Sequence, residues 1–199
     1  MIIQLIDSNK QMCAAWESQF KGQENVTVYC GDVFEKTTDC IISPANSFGF
    51  MDGGIDLLIS NIMGWQVQES LQKQIKEKYS GELLVGQAVL VETGFSAIPF
   101  LISAPTMRVP MILKDTVNIY LASKAIFLLL KQEQHQINIV TISGLGTGIG
   151  QVPYDICAKQ MKQAYDDVWL NKFVFPKTWS NAQRQHQLLY SDEYKDLQY

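Results

Sequence analysis

Short apolar runs alternate along the chain with longer stretches of helical periodicity. Residues 2–6 read as a buried strand, and Asp7-Ser8-Asn9 offers side-chain oxygens to cap a helix over residues 10–20 whose Met12, Ala15, Trp16 and Phe20 share one face. A turn at Lys21 to Asn25 leads into the apolar alternation Val26-Thr27-Val28-Tyr29, which stops at Gly31-Asp32. Cys40-Ile41-Ile42-Ser43, bounded by Asp39 and Pro44, has the uninterrupted apolar character of a central strand covered on both faces. A glycine-rich loop follows, and residues 55–79 then carry apolar positions at helical spacing, interrupted at Gly64. Residues 87–92 and 100–103 predict two more strands. A helix over 116–134, a strand over 137–143 and a helix over 153–170 complete the regular pattern.

Strands that alternate with long helices imply a three-layer α/β fold, a mixed and mostly parallel central sheet with helices on both faces. In such sheets ligands bind beyond the carboxyl ends of the strands. Residues 1–172 form one expected domain. Residues 173–199 are polar and glutamine-rich apart from Phe173-Val174-Phe175, Trp179 and Leu188-Leu189-Tyr190, and predict a loop with a docked short helix, a possible attachment point for a partner protein.

Composition narrows the functions. With 199 residues the chain is long enough to bury one core without disulfides or a structural metal. Hydrophobic residues at 47% and charged residues at 18% fit an ordinary globular fold. A net charge of −4, with no run of Lys or Arg, gives nucleic acid no electrostatic support, so a bound phosphate would rest on backbone amides. Cys13, Cys30, Cys40 and Cys157 form no Cys-x-x-Cys pair, and only His135 and His186 are available beside them. No metal site and no cofactor are expected, and the thiols read as reduced in a cytoplasmic setting. The apolar start ends at Asp7, too short for a membrane span.

The unusual residues sit in three loops at predicted strand ends: Gly31-Asp32-Val33, the stretch from Pro44 to Asp56, and the stretch from Gly144 to Pro153. Gly144-Leu145-Gly146-Thr147-Gly148-Ile149-Gly150 places a glycine at every second position just before a helix, a backbone that can curl its N–H groups toward one anion. The loop lacks the Gly-Lys-Ser/Thr ending of a nucleotide triphosphatase, and the first βα turn lacks Gly-x-Gly-x-x-Gly. Taken alone it also reads as a permissive turn without a ligand.

The stretch Ser43-Pro44-Ala45-Asn46-Ser47-Phe48-Gly49-Phe50-Met51-Asp52-Gly53-Gly54-Ile55-Asp56 resembles the signature of the macrodomain family, an ADP-ribose-binding and Appr-1-p-processing group. There an Asn-Ala-Ala-Asn-type strand end precedes a glycine-rich loop and a helix that opens on a hydrophobic-Asp pair. Gly31-Asp32-Val33 is similar to the family's Gly-Asp-Ile, and Thr147-Gly148-Ile149 with Pro153 is similar to its second diphosphate loop. The resemblance spans residues 26–170. It implies that Asp32 and Val33 receive adenine and that Ala45 and Asn46 meet the distal ribose. It implies too that Gly53, Gly54, Ile55 and the loop Gly144, Leu145, Gly146, Thr147, Gly148, Ile149 hold the diphosphate. Asn46 and Asp56 are the implied catalytic pair, Asp56 activating a water that attacks the anomeric carbon.

Three departures stand against this pattern. Gly150 replaces an aromatic residue common in the hydrolytic branch. Met51-Asp52 replaces two glycines, stiffening the first loop and adding a carboxylate near an anionic ligand. No strand follows the last helix to bring an aromatic onto adenine, which leaves Phe173, Phe175 and Trp179 as candidates. Asp32 also reads as an ordinary helix cap, Asn46 as a turn residue and Asp56 as a helix-start acid. An ADP-ribosyl hydrolase, an ADP-ribose reader and a nucleotide-binding scaffold all remain open. The hydrolase would act on a mono-ADP-ribosylated protein, O-acetyl-ADP-ribose or ADP-ribose phosphate.

Overall fold

The computed structural model describes residues 1–197. Six strands form one sheet: β1 (Ile2–Asp7), β2 (Val26–Cys30), β3 (Cys40–Ser43), β4 (Val89–Glu92), β5 (Phe100–Ser103) and β6 (Ile139–Ile142), in the order β2-β1-β6-β3-β5-β4. All neighbours are parallel except the β4–β5 pair at one edge. The expected mixed, mostly parallel sheet is therefore present.

The helices are α1 (Lys10–Gln19), α2 (Gly54–Met63), α3 (Gln66–Lys78), α4 (Asn118–Gln132), α5 (Tyr154–Val168) and α6 (Trp179–Gln187). Side chains alternate across each strand, so one sequence feeds two cores. Ile3, Leu5, Ile42, Val140 and Ile142 pack in the larger core with Trp16, Ile126 and Met161 of α1, α4 and α5. Ile6, Ile41 and Leu101 point the other way, into the core built with Ile59, Leu71 and Ile75 of α2 and α3. These are the three layers.

Local chemistry sets the boundaries. The Asn9 side chain accepts the amides of Gln11 and Met12 at 2.9 and 3.3 Å and so starts α1. Gly64 ends α2 before α3 begins. Several strands and helices are a residue or two shorter than the apolar pattern predicts, because capping and ladder hydrogen bonds, rather than hydrophobicity, decide where an element stops.

Beyond α5 the chain carries α6, started by the Thr178 hydroxyl on the Asn181 amide at 3.1 Å. Lys159 of α5 reaches back to the Asp192 carboxylate at 2.9 Å. The last two residues of the polar extension lie outside the described residues. No helix among the described residues is long and apolar enough to cross a membrane.

Candidate functional site

Five strands run in one direction, so the turns that leave β1, β2, β3, β5 and β6 gather at a single sheet edge. They enclose a cleft of about 620 Å³, a volume suited to a nucleotide-sized ligand. Of the residues singled out in the sequence, Asp32, Val33, Ala45, Asn46, Gly53, Gly54, Ile55, Asp56, Gly144, Gly146, Thr147, Gly148 and Ile149 all line it. Leu145 does not. Its side chain is fully buried in the larger core, and only its backbone belongs to the loop.

Backbone polarity defines the cleft. Among the described residues, the amides from Leu145 to Gly150 donate to no group of the chain, and neither do those from Asp52 to Asp56 at the head of α2. The second set includes the free N–H groups that every helix start leaves over, here without a side-chain cap because Gly53 occupies the capping position. Two runs of unpaired donors with a helix dipole behind one of them suit an anion carrying more than one phosphate.

Asp56 lies in the first turn of α2 and is 7% exposed. Its Oδ1 has no hydrogen-bond partner. Burial raises its pKa to about 7, an effect partly offset by the nearby Ser43 hydroxyl, which stops short of hydrogen-bond geometry. A carboxyl that titrates near neutrality at a cleft wall has the acidity of a general base.

Asn46 is engaged within its own loop. Its Oδ1 accepts the amides of Phe48 and Phe50 at 3.1 and 3.3 Å, and its Nδ2 donates to the Phe50 carbonyl at 2.8 Å. One amide hydrogen is left over. Asp32 is exposed and takes the Phe34 amide at 2.9 Å through one oxygen.

The departures from the family pattern have physical reasons. Met51 is fully buried in the smaller core, its amide held by Gln68 at 2.7 Å and its carbonyl by Ser60 at 2.9 Å, which pins the loop at this point. Asp52 is exposed and lies outside the cleft wall, so its carboxylate does not confront the expected anion there. At Gly150 any side chain is excluded, since a Cβ would meet the Gly146 carbonyl at 2.5 Å and Leu113 at 3.0 Å. Phe173, Phe175 and Trp179 are not in the cleft wall; the aromatic residue there is Phe50.

Asp7 is a wall residue that the sequence pattern did not single out. Its Oδ2 accepts the Gly144 amide at 3.1 Å and its Oδ1 the Asn9 amide at 2.8 Å. Asn9 in turn donates to the Tyr154 hydroxyl at 2.9 Å. The end of β1 thus fastens the second glycine loop at its entry and at the head of α5. Nothing local in the sequence signals a bond across 137 positions; an aspartate after a strand reads first as a cap.

The profile of the Macro domain family matches residues 42–161, more than half of the chain. An uncharacterised protein of Aquifex aeolicus is 34% identical over 137 residues, 69% of this chain and 78% of that protein. Among solved structures the chain is similar to the macrodomain of Mycobacterium tuberculosis DarG, with a TM-score of 0.59 and 20% identity over 69% of this chain and 87% of that one. It is similar as well to a mutant Oceanobacillus iheyensis macrodomain solved with ADPR, with a TM-score of 0.59 and 18% identity over 67% of this chain and 72% of that one. Profile and relative agree, and the fold is the same: the chain belongs to the Macro domain family.

Proposed function

We propose that the chain binds ADP-ribose in this cleft and hydrolyses an ADP-ribosyl bond there. The observation that carries the reading is that two runs with unpaired amides, Gly146 to Gly150 and Gly53 to Asp56, line one cleft together with a buried carboxyl. The ADPR present in the Oceanobacillus structure supports the choice of ligand. Asp32 and Val33 take the adenine, and the two amide runs take the diphosphate. Ala45 leaves room for the distal ribose, and the spare amide hydrogen of Asn46 is directed to a ribose hydroxyl.

In the hydrolytic step a water attacks the anomeric carbon. Its proton passes to the Asp56 carboxylate, and the glycosidic oxygen leaves with the bonding electron pair. General-base assistance of this kind contributes roughly 10²–10⁴ in rate. The four free thiols fit a reducing, cytoplasm-like compartment.

The engagement of Asn46 in its own turn favours a second reading, a reader that binds ADP-ribose without turning it over. Single-turnover release of ADP-ribose from a mono-ADP-ribosylated protein separates the two. Hydrolysis predicts release by the wild type and its near-complete loss in Asp56→Ala at little changed ADP-ribose affinity, since a group acting in the transition state lowers kcat and spares ground-state binding. A wild type that binds and releases nothing is the reader.

A further inference from the structure

Helices α2 and α3 cover the same face of the sheet, yet their outer sides differ. α3 turns Glu69, Lys73, Lys76 and Glu77 to solvent, the charged exterior expected of a surface helix. α2 contains one charged residue, Asp56, and buries it. Its inner side carries Ile59 and Met63, and its outer side presents Leu58 and Ile62, 51% and 45% exposed, followed past the Gly64 break by Trp65 at 44%. Apart from the exposed Asn61, this outer side is apolar, and a helix with apolar residues on opposite sides is normally enclosed. This one is enclosed on one side only.

The exposed stripe is continuous with the cleft. Leu58 lines it together with Phe50 and Ile149, both more than half exposed. Ile62 is one helical turn beyond Leu58 and so its neighbour on the surface. Contiguous exposed apolar surface of this kind marks an interaction site. It starts at Leu58, in the same cleft wall as Asp56, where on the proposed binding mode the group attached to the distal ribose would emerge.

Charge decides what fits the stripe. Asp52 is exposed at the head of α2. The only basic residue in the cleft-lining segments 7–8, 31–33, 44–58, 106–110 and 143–150 is Arg108, and it is already paired with Glu82 at 2.7 Å. A nucleic-acid backbone would meet a carboxylate and no uncommitted cation there. A polypeptide with a Lys or Arg beside apolar residues would match both the stripe and Asp52.

We propose that the outer face of α2 docks an apolar, cation-bearing segment of the polypeptide that carries the ADP-ribosyl group. The proposal rests on the cleft being the ADP-ribose site, and it names the substrate as a protein conjugate held on both sides of the bond that breaks.

The test uses the whole chain and two mono-ADP-ribosylated glutamyl peptides, one flanked by Leu, Ile and Lys and the other by Ser, Gly and Asp, with free ADP-ribose titrated in parallel. Wild type is expected to bind the apolar conjugate about tenfold more tightly than the polar one, the scale of burying one or two aliphatic groups. The double variant I62Q/W65Q is expected to lose that preference while its ADP-ribose affinity and melting temperature stay as in wild type. Equal binding of the two peptides by wild type, or a preference that survives in the variant, overturns the docking face and leaves the ADP-ribose site standing. Failure of free ADP-ribose to bind overturns both. A wild-type dimer that the same substitutions turn into a monomer gives the face to a second copy of the chain and also overturns the proposal.

Discussion

The loop after β3 is fastened by side chains along its length, whereas the loop after β6, held at its entry by Asp7, is otherwise fixed by close packing on its glycines. In the first, Asn46 closes its own turn with three hydrogen bonds, while Gln68 and Ser60 hold Met51 from α3 and α2. In the second, Gly146 has φ +66°, where a side chain is strained, and a Cβ there would meet Ile119 at 2.6 Å; Gly150 admits none at all. Leu113 closes over this loop, its amide on the Gly150 carbonyl at 2.8 Å. Both loops nevertheless present unpaired amides to the cleft. The lesson is that an amide cradle needs a fixed backbone, and polar staples or tight packing can fix it equally well. The loops differ also in charge, for the first runs into Asp56 and the stretch from Gly144 to Val152 has no ionisable side chain.

That difference in charge yields the largest expected effect. The pKa of Asp56 is about 7 in the folded protein against an ordinary value of 3.8. Below about pH 4 the group is protonated whether the chain is folded or not, and it costs nothing. Between about pH 4 and 7 the unfolded chain ionises while the folded one keeps its proton, so stability falls as pH rises, and above 7 the cost is complete. Asp56→Asn should therefore raise stability by several kcal/mol at pH 8, and leave it nearly unchanged at pH 4. Denaturant melts at the two pH values measure this; an equal effect at both would place the carboxyl in water.

Next in size is the packing of the second loop. Gly150→Ala is expected to cost about 1–3 kcal/mol, the usual penalty of forcing a methyl group into a filled space, and to weaken ADP-ribose binding because the Gly146 carbonyl must move. Gly148→Ala is its control, since a Cβ there meets nothing within 4 Å. Equal stability losses at the two positions, by thermal melts, would dissolve the distinction between packed and open glycines.

Smaller again is Asn46→Ala, which removes the staples of the first loop and is expected to cost about 1 kcal/mol. If the turn is what matters, Asn46→Asp should recover most of the binding lost in Asn46→Ala, because a carboxylate still accepts from the Phe48 and Phe50 amides. An Asp variant no better than Ala would shift the weight to the amide hydrogen offered to the ligand.

The same contrast explains what the sequence made legible. The first loop announces itself through Asn46, Gly53-Gly54 and Asp56, because polar staples and helix starts use particular residue types at fixed spacings. The layers were readable for a similar reason: β3 is apolar without interruption and α4 keeps its apolar period. Relations between distant segments were not. The order of the strands, the hold of Asp7 on Gly144 and the closure of Leu113 over Gly150 join residues far apart in the chain, and no local pattern encodes them. Gly150 therefore read as a lost aromatic although its neighbours forbid one. Leu145 gives the loop its backbone while its side chain belongs to the core, and Asp52, expected as a carboxylate near the anion, is exposed and outside the cleft wall.

The central claim, that the two amide runs form one diphosphate site, is tested most directly by calorimetric titration of the wild-type chain with ADP-ribose and with AMP. A 1:1 complex with ADP-ribose is expected at a Kd on the order of 1 μM, about −8 kcal/mol, with markedly weaker binding of AMP, which lacks the second phosphate and the distal ribose. Equal affinity for the two ligands, or no heat from ADP-ribose, would contradict it.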